Sequence, residues 1–287
     1  MNLMKTRTSG LLAFLVLAFG FAWLGMVGAW ALGHSLVNPL VQLPFAFAPA
    51  LAAFVVRRWV AGEGFADAGL RLRLREAWPQ YLMAWLGPAA LVAATAAVAA
   101  LFGVRLASLD GQLGGLPGWA LVAVLLLVVP LLTPIYWGEE FGWTGYLRQR
   151  VFVGRPVAAT LATGLIWAVW HYPLAFVGYI EFDNVVVGLA VWTVSFVCQE
   201  IVLSWLRVRS GSVWTASLAH AGNNMVLALL VGFLLVDVDI TMVTVYITIP
   251  IAGLAAWVLA TGRLAPLADV DRGVGLEEVA ASTSSLG

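Results

Sequence analysis

The chain has 287 residues, of which 62% are hydrophobic and only 10% charged, and its mean hydropathy is +0.95. An ordinary soluble domain carries roughly a quarter charged residues, so this composition excludes that class and leaves a polytopic membrane protein. Lys and Arg (15) balance Asp and Glu (15), no nucleic-acid partner is expected, and the one cysteine, Cys198, has no disulfide partner.

A helix crosses the hydrocarbon core in about 20 residues. Apolar runs of that length fall at 11–33, 38–56, 79–103, 118–147, 157–178, 184–206, 213–236 and 239–262, which predicts an all-α membrane bundle of eight transmembrane helices. The first run exceeds the roughly 7 to 15 residues of a cleavable signal core, so it reads as a first span with a signal-anchor role. Residues 1–264 then form a single transmembrane domain with its motif-bearing core at 118–236, and 265–287, rich in small and acidic residues, reads as a disordered cytoplasmic tail.

Positive charge follows the same segmentation, because short cytoplasmic loops retain Lys and Arg. Fourteen of the fifteen basic residues fall on one side of the eight spans, Arg105 being the exception. Both termini are therefore expected in the cytoplasm of a multi-pass cell-membrane protein, with membrane lipid as its surroundings. The Ala, Val and Gly richness suggests a bacterial source. The second loop, Ala-Gly-Leu-Arg-Leu-Arg-Leu-Arg-Glu, reads as a positive-inside loop, with a strand or an interfacial segment as alternatives.

Against this background, Glu139 and Glu140 stand directly after about twenty nearly uncharged residues of the fourth span. A carboxylate at membrane depth costs at least about 2.5 kcal/mol, so a pair points to function. The span is long for one crossing and carries Pro130 and Pro134, which are expected to kink it. A tight turn follows at Val153-Gly154-Arg155-Pro156. Glu139 lies 15 residues before Gly154 and His171 lies 17 after it, which places both at similar depth, about 22 to 25 Å from the turn. His220 follows the Ser210-Gly211 turn by 10 residues and reaches the same layer.

Trp167 with His171, and His220 with Asn224, are i,i+4 pairs that share a face. Successive helical residues point about 100° apart, so only one of Glu139 and Glu140 is the working carboxylate, while the other orients a histidine or receives a hydrogen bond. These side chains predict one polar pocket open to the cytoplasm. Glu200 reads as an ion-pair partner of Arg207, seven residues on, or else as a member of the polar set.

Three motifs in order carry a family resemblance: Glu139-Glu140-Phe-Gly-Trp-Thr-Gly, Ile166-Trp-Ala-Val-Trp-His171-Tyr-Pro, and Ser212-Val-Trp-Thr-Ala-Ser-Leu-Ala-His220-Ala-Gly-Asn-Asn224. Over about 120–225 the chain resembles the CAAX protease and bacteriocin-processing family, also called the abortive-infection family, of intramembrane proteases. The resemblance implies a glutamate-dependent endopeptidase that needs no cofactor and acts on a hydrophobic or prenylated peptide. By motif position, Glu139 is the general base that activates water, His171 helps to bind or orient it, His220 and Asn224 form the oxyanion hole, and Glu140 supports them. Trp167, Trp143 and Thr144 are expected to line the pocket.

This chain departs from the family pattern at Thr144, where the family usually has Arg. Two substitutes are open: an ion pair from Arg148, or a hydrogen bond from Thr144 to Glu140. A zinc protease is a rival reading, since two His and a Glu can hold the metal, but there is no His-Glu-x-x-His. A proton-relay transporter and a scaffold or bacteriocin-immunity protein of the same family are the alternatives from other classes.

Overall fold

The computed structural model describes residues 2–265; the expected tail over 265–287 lies outside them apart from Ala265. Among the described residues every regular element is helical, and eight helices are long and apolar enough to cross a membrane. In chain order they are α1 (Asn2–Ala31), α2 (Pro39–Val60), α3 (Trp78–Leu101), α4 (Gly118–Arg150), α5 (Pro156–Ala175), α6 (Val185–Ser210), α7 (Val213–Leu234) and α8 (Ile240–Ala260). The chain is thus an all-α, multi-pass membrane bundle. Boundaries differ from the hydropathy reading by a few residues: α2 runs on to Val60, and α5 stops at Ala175.

Caps fix where the spans begin. The Asn184 and Asp239 side chains accept hydrogen bonds from Val187 N (3.1 Å) and Met242 N (3.0 Å), satisfying donors that the first helical turn leaves unpaired. Between α4 and α5 the expected turn forms, with Gly154 at a φ of +79° that a side-chain-bearing residue seldom adopts.

Between helices in lipid no hydrophobic force acts, so close packing of small residues does the work. α4 lies at the centre, against α2 on one side and α7 on the other, while α6 packs between α5 and α8. Gly142 permits the α2–α4 crossing: a Cβ there would lie 2.4 Å from Pro49 Cβ and 2.7 Å from the Pro49 carbonyl carbon. One turn earlier, a Cβ on Gly138 would lie 3.0 Å from the Ala46 carbonyl oxygen. With both glycines turned to α2, the glutamates between them face away from it.

Pro130 lacks the N–H that would bond the Leu126 carbonyl, and Trp85 of α3 supplies a replacement, its indole Nε1 donating to Leu126 O at 2.7 Å. A half-buried backbone acceptor within the span is thereby satisfied from a neighbouring helix.

The basic second loop is not a strand but a strap across the Arg148–Arg150 end of the bundle, with one 3-10 turn at Ala66–Ala68. Arg57 is fully buried and donates to Asp67 Oδ1 (2.7 Å), the Gly64 carbonyl (2.7 Å) and the Gly145 carbonyl (2.9 Å). Arg150 pairs with Glu63 and Asp67 at 2.7 and 3.1 Å. Arg207 Nη2 donates to the Asp67 carbonyl at 3.0 Å, so it is tied to this strap and not to Glu200 as the spacing had suggested.

Candidate active site

Glu139 and Glu140 close the regular part of α4, and the helix then widens into a π turn over Trp143–Leu147. Such turns are rare and recur at functional sites. The inserted residue rotates everything beyond it by about 100° relative to a continuous α-helix. A second π turn, Asn223–Ala228, follows His220 in α7.

The two carboxylates are buried, Glu139 with 8% and Glu140 with 0% exposure, and each has its own partners. Glu139 Oε2 accepts the indole N–H of Trp167 at 2.8 Å and that of Trp143 at 3.4 Å. Glu140 Oε1 meets His220 Nδ1 at 3.0 Å, and its Oε2 accepts the Thr144 hydroxyl at 3.0 Å. The 100° offset between neighbouring helical residues thus sends one acid toward α5 and the other toward α7.

Of the two substitutes open for the missing arginine, the structure forms the Thr144 hydrogen bond. Arg148 turns elsewhere, with Nε donating to Thr160 Oγ1 at 2.8 Å and Nη2 to the Leu264 carbonyl at 3.2 Å. The π turn between Glu140 and Arg148 accounts for this change of direction.

His171 enters through a neighbour. Its Nδ1 lies 2.9 Å from the Trp167 carbonyl, an acceptor only, so Nδ1 carries a proton and Nε2 of the neutral ring keeps its lone pair. Phe196 stacks on the His171 ring at 4.3 Å. No hydrogen bond joins His171 to Glu139 among the described residues; equal depth brought the helices together, but Trp167 makes the contact. His220 is held on three sides, by Glu140, by the Tyr136 ring at 4.9 Å and by the Trp167 ring at 5.1 Å.

Asn224 is exposed and donates Nδ2 to the His220 carbonyl at 3.2 Å. It therefore adjoins His220 through backbone, at the edge of the cluster. Its neighbour Asn223 bonds Gln199 at 3.2 Å, and Gln199 bonds Ser195 at 3.3 Å, extending a polar strip along α6.

Glu200 corrects the pairing with Arg207: it is fully buried, accepts from Ser204, and leaves Oε2 without a partner. Two tyrosines escaped the sequence reading. Tyr136 precedes both glutamates by one turn, a signal that i,i+3 and i,i+4 spacing could have supplied. Tyr179 lies between α5 and α6, where no periodicity applies, and its phenol is pushed up by burial and then by the Glu139 charge.

No group of three or more His, Cys, Asp or Glu side chains among the described residues is placed to hold a metal ion. What the cluster offers is an indole-anchored carboxylate, a carboxylate–imidazole pair and a second imidazole, carried by three candidate membrane spans.

Residues 117–226 match the family model described as Type II CAAX prenyl endopeptidase Rce1-like. No curated protein matches the chain.

Proposed function

We propose that this chain, whose residues 117–226 match the Type II CAAX prenyl endopeptidase Rce1-like family model, is an intramembrane protease of the CAAX type that hydrolyses a peptide bond with water activated by Glu139. The observation that carries this reading is the carboxylate of Glu139, anchored through Oε2 by two indole N–H groups while Oε1 has no protein donor among the described residues. An oriented acceptor of this kind can take a proton from water, and general-base catalysis of this type contributes roughly 10²- to 10⁴-fold.

In the proposed sequence, water bound between Glu139 Oε1 and His171 Nε2 loses a proton to Glu139 as its oxygen attacks the scissile carbonyl carbon. The developing oxyanion takes hydrogen bonds from His220 Nε2–H and the free amide N–H of Asn224. His220 can donate from Nε2 only while the Glu140–His220 pair holds two protons, one between them and one on Nε2. Glu139 then passes its proton to the leaving nitrogen and the C–N bond breaks. Glu140, with Thr144, is a positioning residue for His220, and Trp143 and Trp167 are positioning residues for Glu139.

The family implies a prenylated peptide substrate and a membrane setting. We place the Arg148–Arg150 end and both termini in the cytoplasm, since fourteen of fifteen basic residues fall on that side, and treat 1–264 as one catalytic transmembrane domain.

The test uses the full chain in liposomes with a fluorogenic peptide ending in a prenylated tetrapeptide, beside the same peptide unprenylated. Cleavage is expected with the wild type and lost in Glu139→Gln and His220→Ala, with no effect of a chelator. Wild-type-level cleavage by Glu139→Gln would sink the mechanism, and chelator sensitivity would revive zinc. Full cellular function in both variants would mark the chain as a scaffold.

A further inference from the structure

Tyr136 sits where the proposed reaction develops negative charge, and nothing in its known motifs accounts for it. It stands on α4 three residues before Glu139 and four before Glu140, so all three side chains share a stripe of that helix. Its ring packs on His220 with centroids 4.9 Å apart at 50°. Trp167 covers another side of the same imidazole at 5.1 Å, and Glu140 occupies Nδ1. The ring nitrogen of His220 that Glu140 does not occupy is Nε2.

The hydroxyl of Tyr136 has no protein hydrogen-bond partner among the described residues, although the side chain is half-buried at membrane depth. The hydroxyl is not among the sealed, unpaired polar atoms of the described residues, so it stays accessible to a ligand or water. Meanwhile Asn224 is exposed, with its amide already donating to the His220 carbonyl. Asn224 thus has one amide N–H left for the oxyanion at the edge of the cluster, and Tyr136, packed on His220, can add a further donor.

We infer that Tyr136 is a catalytic residue of this chain, its phenol O–H donating a hydrogen bond to the oxygen of the scissile carbonyl beside His220 Nε2–H. No proton leaves the phenol, which keeps its hydrogen throughout, while the proton from water travels through Glu139 to the leaving nitrogen. The inference rests on the hydrolytic reading above and adds a donor to it.

The experiment compares wild type, Tyr136→Phe and Glu139→Gln in liposomes, by steady-state cleavage and by binding of a phosphinate peptide that mimics the tetrahedral oxyanion. Phe keeps the ring on His220 and removes only the hydroxyl. Loss of an oxyanion donor lowers kcat by roughly 10²- to 10³-fold, so Tyr136→Phe is expected to lose at least about 10²-fold in kcat with KM within about threefold. Phosphinate affinity should fall by a comparable factor, and that titration reads folded sites whatever the yield of the variant. Binding of uncleaved peptide in the Glu139→Gln background should not change when Tyr136→Phe is added. A kcat within threefold of wild type, a loss confined to KM, or unchanged phosphinate affinity overturns the role of Tyr136 and leaves the protease reading standing. Absent cleavage by the wild type, or full cleavage by Glu139→Gln, overturns the protease reading itself.

Discussion

Trp167 donates its indole N–H to Glu139 Oε2 at 2.8 Å across 28 residues of chain, joining α5 to α4 at the carboxylate. A hydrogen bond to a charged group is worth about 1.5 to 3 kcal/mol net. Trp167→Phe retains an aromatic ring against Phe196 and His220 but loses the donor. We expect kcat/KM to fall about 10- to 100-fold, with the thermal transition in detergent little changed. An unaltered kcat/KM would mean that Glu139 keeps its orientation without the indole.

Gly142 is the contact on which the glutamates' direction depends, because Pro49 leaves no room for a Cβ there. Gly142→Ala must push α2 and α4 apart, an overpacking that costs typically about 1 to 3 kcal/mol. The expected result is a lower unfolding temperature together with reduced activity, since the carboxylates one turn away move with the helix. Gly87→Ala, where a Cβ meets nothing within 4 Å, serves as the control and should be near neutral.

Thr144 stands where the arginine of the family pattern would be, and its hydroxyl completes Glu140. Thr144→Val keeps shape and removes that donor; about 1 to 3 kcal/mol of stability is expected to go with it. Thr144→Arg should fare worse, because the side chain is 1% exposed and has no space for a guanidinium. Thermal unfolding of both variants decides the order, and a Thr144→Arg protein more stable than wild type contradicts the assignment.

At the strap, burial raises the Asp67 carboxyl, but the Arg57 hydrogen bond and the charges of Arg57 and Arg150 outweigh it and hold the group below its usual range. A depressed carboxylate stabilises the fold above its unfolded pKa, about 3.9, and that stability is lost as pH falls through the folded value. Asp67 is half exposed, so its Coulomb part is screened. The larger cost of Asp67→Asn is a buried Arg57 deprived of its charged acceptor, about 1 to 3 kcal/mol at pH 7. The gap between wild type and variant should narrow once the pH drops below about 4. A gap that stays constant down to pH 2 would exclude an ionic origin.

Trp85 and Pro130 form a compensated pair, the indole replacing the backbone donor that proline lacks. Trp85→Phe should destabilise by about 1 to 2 kcal/mol in the native background. With Pro130→Ala restoring an N–H to the Leu126 carbonyl, the same Trp85→Phe change should cost measurably less. Additive losses in this double-mutant cycle would show that the two groups are not coupled.

Hydropathy and charge by themselves determined the eight spans, because burying about 20 apolar residues per crossing is a property of local composition. Motif order likewise singled out Glu139, Glu140, Trp167, His171, His220 and Asn224 as candidates for one site. Which atom meets which was a tertiary matter. Counting residues set Glu139 level with His171, yet Trp167 makes the bond, since side-chain direction depends on helix rotation as well as depth. Arg148 looked like a partner for Glu140 and Arg207 for Glu200; a π turn redirects the first, and the strap captures the second. The Tyr136 ring on His220 and the buried, half-satisfied Glu200 carry no motif at all. They emerge only when separate helices pack, because an unmet polar group is defined by what surrounds it and not by its neighbours along the chain.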